Sequence, residues 1–407
     1  MEPTSVVLVG KLAIVFAALL LSLRAGLKLT KSMLITIVAT IVLYAIPLKD
    51  TIKIWYKAST SFNTISLVLI LYLITLLQRI LQNRKQLSQV HTNLDSLFNS
   101  RRITATVAPI FIGLLPSAAA MLICGEIVRD TVGDALDQEE QAFITSYFRH
   151  IPESFLPTYA AVILMSELSG VSIGTFVLGM LPLEVLLYIL GYWAYIRRIP
   201  KDTGLPPSEN RGRVAVELLK NLWSIIAIIV LVIGFKWSVL SATLAVIIVC
   251  LPVYRYKPRE ILPLLKDAVE APMLVNTYLI MVFKDFIMHS GAMDALPDFF
   301  SHLPVPTYLV FALIFFFGTV VAGAQAIIAI CAVMAFAAIP GGGMPLMVLL
   351  MSFAYAAMQI SPTHICLFIA ADDFDVPMMA LVRKTMPIII VFCLLTVPYY
   401  WLLTAFF

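Results

Sequence analysis

Hydrophobic positions along the chain fall in long blocks separated by short polar stretches. A bilayer core of ~30 Å takes roughly 20 apolar residues per helix, so these blocks predict membrane helices. Blocks at 5–23, 33–48, 61–78, 172–196, 222–234, 237–254, 271–289 and 385–406 read as plain spans. Four others, 104–128, 150–168, 304–340 and 346–370, carry Pro, Gly or small polar residues where a plain span has Leu or Val. Backbone freed by such residues must be buried in protein or line a cavity. We therefore expect hairpins that enter and leave on one side at 104–128 and 304–340, and interrupted helices at 150–168 and 346–370.

The interruptions recur. At an offset of 205 residues Gly113 falls on Gly318, Pro157 on Pro362 and Thr158 on Thr363. The same offset lays hairpin on hairpin and interrupted helix on interrupted helix. The predicted fold is an all-α polytopic membrane protein built from two inverted-topology repeats. Each repeat holds a re-entrant helical hairpin and an interrupted transmembrane helix, over 1–196 and 222–407, with 197–221 as a cytoplasmic linker. Inverted repeats with breaks at matching positions are a hallmark of secondary transporters, whose site lies near the midplane.

Composition agrees with the pattern. Hydrophobic residues make up 61% of the 407 and charged residues 13%, against about 45–50% and 25% in soluble domains. The excess must face lipid, which excludes a soluble enzyme, a secreted disulfide scaffold and a disordered chain. Five cysteines lie singly in apolar runs and read as packing residues, without metal-ligand spacing. A net charge of +4 is too small to suggest nucleic acid.

Most of the 28 Lys and Arg fall between spans on one side if the N-terminus is outside, which predicts a multi-pass protein of the cell (inner) membrane. Arg129 and Arg149 are counted on that cytoplasmic side. Lys49, Lys53 and Lys57 run against the rule and suggest a short interfacial helix with Ile54 and Trp55. The first block, containing Lys11, reads as a membrane helix and not as a cleaved signal.

Candidate chemistry sits where the apolar character lapses. Pro157 and Pro362 each remove an amide donor and open the chain before them. Freed carbonyls there suit Na+, and the amides of a following half-helix suit an anion. The expected substrate-binding set is Ser117, Ala118, Thr158, Tyr159, Gln325, Ser361, Thr363 and His364. The expected coupling-ion set is Glu153, Ser154, Pro157, Gln359, Pro362 and His364, serving H+ or Na+. Two readings of His364 stand side by side: an anion or proton site, and a neutral hydrogen-bonded core residue. No fixed metal centre or organic cofactor is expected.

With these motifs in view, the chain resembles the ion transporter superfamily, which includes divalent-anion/sodium symporters, citrate carriers and gluconate permeases. Ile112–Met121 (IGLLPSAAAM), Phe148–Tyr159 (FRHIPESFLPTY) and Gln359–His364 (QISPTH) look most like an uncharacterised prokaryotic family of integral membrane proteins. The resemblance implies a scaffold and a moving transport domain, a homodimer and elevator-like alternating access. The symporters' Ser-Asn-Thr tip motif is absent: the tips read Pro116-Ser117-Ala118 and Ala322-Gly323-Ala324. The leading expectation is a carrier of a small organic anion, a carboxylate or sugar acid, with no enzymatic step. A carrier or flippase for an amphiphilic substrate is the alternative. An intramembrane protease using Asp285 and Asp372 is disfavoured, because no GxGD lies near either.

Overall fold

The computed structural model describes residues 3–84, 100–114, 120–201, 211–362 and 364–407. Among the described residues there are nineteen α-helices. The first nine are α1 (Pro3–Arg24), α2 (Leu29–Leu43), α3 (Leu48–Thr60), α4 (Phe62–Asn83), α5 (Arg101–Gly113), α6 (Ala120–Val132), α7 (Gln138–His150), α8 (Ala160–Ser169) and α9 (Ile173–Ala194). The rest are α10 (Arg211–Ile229), α11 (Val239–Val253), α12 (Pro258–Asp267), α13 (Ala271–His289), α14 (Ala292–Ser301), α15 (Thr307–Ala322), α16 (Ala324–Ala338), α17 (Gly343–Met358), α18 (Ile365–Asp373) and α19 (Met378–Phe406). Five of them, α1 from Val6, α4, α9, α13 and α19, are long and apolar enough to cross a membrane. Large apolar side chains such as Leu21, Val42, Leu178 and Leu394 stand exposed on the helices, the surface a lipid-embedded bundle requires. The molecule has the character of a helical membrane protein.

Local chemistry sets several boundaries. Ser61, Ser172 and Ser238 each accept a hydrogen bond from the amide three residues on, capping α4, α9 and α11. Asp137 and Glu140 form a reciprocal capping box at the start of α7. At α12 the Lys257 amide donates to Glu260, and Arg84 adds a salt bridge of 3.1 Å. Together they hold the Glu260 carboxyl below the usual carboxylate range.

The helices sort into two packed groups. In one, α2 and α3 pack on α13, α11 and α12 on α4, and α4 on α13. In the other, α5 packs on α6 and α7, α15 on α16 and α17, and α9 and α19 lie against α17. The second group is cross-laced: α8 packs on α16, and α18 packs on α6 and α7. Its core is α7 and α17, which are buried over Glu140–His150 and Met344–Ala357. Helix α1, packed on α2, meets α14, packed on α16, and thinner contacts of α4 with α8 and of α13 with α16 also join the groups.

Several sequence expectations need correction. The block at 33–48 is shifted, α2 running from Leu29 to Leu43, while the short helix expected around Ile54 and Trp55 is present as the amphipathic α3, with Ile54 and Ala58 buried. The hairpin segment 104–128 is α5 plus α6, reaching from Arg101 to Val132. The interrupted segment 150–168 begins twelve residues earlier, since its first limb is α7. The second runs from Gly343 to Asp373. Helix α10 starts at Arg211, inside the expected linker 197–221. Arg149, counted with the cytoplasmic cations, is a core residue at 2% exposure. It closes α7, and its neighbours on both sides are buried.

Candidate functional site

Pro152 follows the last turn of α7, and its missing amide ends the helical ladder there. The chain tightens into a 3-10 turn, Ile151–Ser154, passes Pro157 without regular structure and re-enters a helix at Ala160. A matching gap, 359–364, separates α17 from α18. Both gaps face a cavity of about 810 Å3, within the size range of small-molecule sites.

The cavity's walls have distinct chemistry. One face of α4, including Thr75, Gln78 and Gln82, forms a polar side, and Arg79 meets Glu270 at 3.2 Å at the rim. Three helix N-termini form the opposite side: α8 through Ala160 and Ala161, α18 through Ile365 and Cys366, and α16 through Ala324, Gln325 and Ala326. None has an acidic residue in its first turn, and none has a side-chain cap. The first amides of a helix lack intrahelical acceptors and carry its positive dipole end. Arg149 adds a guanidinium to the same wall. Its Nη1 lies 3.9 Å from Glu153 Oε2 and 3.9 Å from Cys366 Sγ, longer than the roughly 2.7–2.9 Å of a direct charge-assisted bond.

A histidine pair joins the two gaps. His150 Nδ1 lies 2.5 Å from the Ser146 carbonyl oxygen, which can only accept, so that nitrogen carries a proton. The neutral ring then offers Nε2 as an acceptor, and His364 Nε2–H donates to it at 2.9 Å. Cys366 Sγ belongs to the same cluster, with the three ligand atoms within 4.8 Å of one another. The hairpins hold the gaps in place. Tyr159 donates to the Gly113 carbonyl at 2.5 Å, and Ser361 to the Val320 carbonyl at 2.9 Å. A Cβ on Gly113 would collide with the Arg149 carbonyl, so only glycine lets α5 approach that closely. Gly323, between α15 and α16, has φ +83° and ψ 154°, a region open essentially to glycine alone.

Of the residues singled out from sequence, Thr158, Tyr159, Gln325, Ser361, His364 and Glu153 line the cavity. Thr158 Oγ1 is buried there without a hydrogen-bond partner among the described residues, as is Thr319 Oγ1. Ser154 turns away, toward Glu184 on α9. Gln359 donates to the Tyr355 hydroxyl at 2.7 Å and does not reach the cavity. Pro157 and Pro362 shape the gaps but are not part of the lining. Ser117, Ala118 and Thr363 lie outside the described residues. Sequence reasoning missed Arg149, His150, Thr319 and Glu184. For Glu184 a signal existed: it is the one acidic residue in the 22-residue apolar helix α9.

The sequence profile of a family described as Protein of unknown function (DUF401) matches residues 7–403. No curated protein matches the chain.

Proposed function

The chain belongs to the DUF401 family, and from the chemistry of its cavity we propose that it is a secondary active transporter of a small organic anion. The observation that carries the reading is the convergence of three uncapped helix N-termini and the buried Arg149 on one cavity. Partial positive charges and a guanidinium on one wall select a carboxylate or sugar acid. Thr158, Thr319 and Gln325 supply neutral donors for hydroxyl groups on the cargo. Polar side chains on α4 and the positively charged wall suit such a cargo, which leaves chemically unchanged.

The architecture supports alternating access by two inverted repeats. Helices α5 to α8 find counterparts in α15 to α18, with α8 and α18 starting 205 residues apart. Packing is exchanged in the same sense, α8 on the second hairpin and α18 on the first. Each hairpin limb of 13 to 16 residues spans about 20–24 Å at 1.5 Å per residue, short of a full crossing and in keeping with re-entrant hairpins. The group holding the cavity's breaks would move as an elevator against the group built on α4 and α13, in a homodimer driven by H+ or Na+. If Arg79 faces the cytoplasm, as the Lys and Arg bias suggests, the cavity opens inward here.

The test is uptake by purified protein in liposomes of labelled gluconate and succinate under imposed H+ or Na+ gradients. Accumulation above the equilibrium level of at least one anion is expected. Equal entry into empty and protein-bearing liposomes for every anion and gradient contradicts the reading.

A further inference from the structure

Glu184 stands at the middle of α9, a membrane-spanning helix, and is 8% exposed. It lies outside the anion cavity and has no role in the site described above. Its Oε1 is 2.6 Å from Ser154 Oγ, while Oε2 is buried without a hydrogen-bond partner among the described residues. Ser154 Oγ is also 2.6 Å from the Ile151 carbonyl oxygen.

Three oxygens thus stand in a row, carbonyl, hydroxyl and carboxyl, with two short contacts. Each contact at that length is an O–H···O hydrogen bond and needs its own proton. The carbonyl has none and the hydroxyl has one. The second belongs to the carboxyl. An ionised Glu184 would leave one contact as lone pair against lone pair at 2.6 Å.

We propose that Glu184 is the proton-binding site of this carrier, protonated in the conformation seen here and emptied when Ser154 turns its hydroxyl from Ile151 to the carboxylate. The inference rests on the carrier reading and deepens it by naming H+ as the coupling ion. On release the carboxyl proton passes to water, and the Ser154 hydroxyl proton moves its hydrogen bond from the Ile151 carbonyl to Glu184. The turn Ile151–Ser154 then loses the side-chain bond that ties Ser154 to the Ile151 carbonyl. That turn carries Glu153 and directly follows Arg149 and His150, so a proton at Glu184 acts on the anion wall through one turn of backbone.

The titratable groups interacting with Glu184 are Tyr147 from α7 and Tyr355 from α17. Tyr147 donates to the Leu187 carbonyl and Tyr355 accepts from Gln359. From α19, Tyr399 donates to the Gly179 carbonyl farther along the helix. Helix α8 brings Glu167, which interacts with Lys284. The π turn Val230–Gly234 brings no titratable group. Arg149 and Glu153 face the cavity.

The test compares the full chain with Glu184→Gln, which mimics the protonated acid, and Ser154→Ala, both in liposomes. Infrared difference spectra between acidic and alkaline buffer report the C=O stretch of protonated carboxyls and need no ligand. The expected result is a band present in the wild type, shifted in Ser154→Ala and absent in Glu184→Gln. An identical band in all three overturns the proposal. In transport, Glu184→Gln should keep gluconate or succinate exchange but lose pH-gradient-driven accumulation at least tenfold. Retained accumulation overturns proton coupling at Glu184. A wild type that moves neither anion overturns the carrier reading, while the infrared band still decides whether Glu184 binds the proton.

Discussion

Burying a guanidinium is costly unless the site around it, or what it binds, repays the desolvation. Arg149 sits at 2% exposure on the cavity wall, 3.9 Å from the Glu153 carboxylate. There its guanidinium can share its charge with an anion that enters. Arg149→Gln should weaken anion binding at least tenfold, about 1.4 kcal/mol, and Arg149→Lys should restore only part of it because the planar fork is lost. Quenching of intrinsic tryptophan fluorescence by added gluconate or succinate reads both variants. The sequence concealed this residue. Flanked by polar Ser146 and His150 and by Glu153, Arg149 looks like one more cation at a membrane surface. It packs against Gly113 and Cys366, which are distant in the chain. Breaks around Pro157 and Pro362 were legible, because a proline's effect on its own backbone is local, but the first opens earlier than expected, at Pro152.

At the scale of elements, five of the eight plain spans, those at 5–23, 61–78, 172–196, 271–289 and 385–406, could be read from hydropathy because lipid-facing helices need no partner to explain them. Those at 33–48, 222–234 and 237–254 are shorter apolar helices. Helix α7 could not be read this way. Its stretch QEEQAFITSYFRH is amphipathic at best, yet it lies at the core. Glu140 there is met by Arg198 and by Lys384 at 3.4 Å, and Gln141 donates to two carbonyls. Those partners come from other segments, so no local pattern announces the burial. The hairpin between α15 and α16 was legible from its small residues, and its turn makes a sharp prediction. Gly323→Ala forces a Cβ into a glycine-only backbone region and should cost about 1–3 kcal/mol. The measurement is thermal unfolding in detergent, with Ala322→Gly as a control that should move the midpoint less. An unchanged midpoint in Gly323→Ala would mean the turn relaxes freely.

At the scale of the whole molecule, the cavity lies where the two helix groups meet, with α4 on one side and the breaks on the other. Relative movement of the groups would carry the anion wall past α4. A static binding protein or a scaffold would keep the cavity open to one side only. The internal offset of 205 residues in the sequence equals the spacing of α8 and α18, while the exchange of these helices between hairpins is a three-dimensional property that no one-dimensional comparison contains. The most direct test is a single cysteine at Ala324, on the cavity wall, in a background with the five native cysteines replaced. A membrane-impermeant maleimide is applied to oriented vesicles from one face at a time. An alternating-access carrier predicts labelling from both faces, slowed on both by the transported anion. Labelling from one face alone, whatever the gradient or anion, contradicts it.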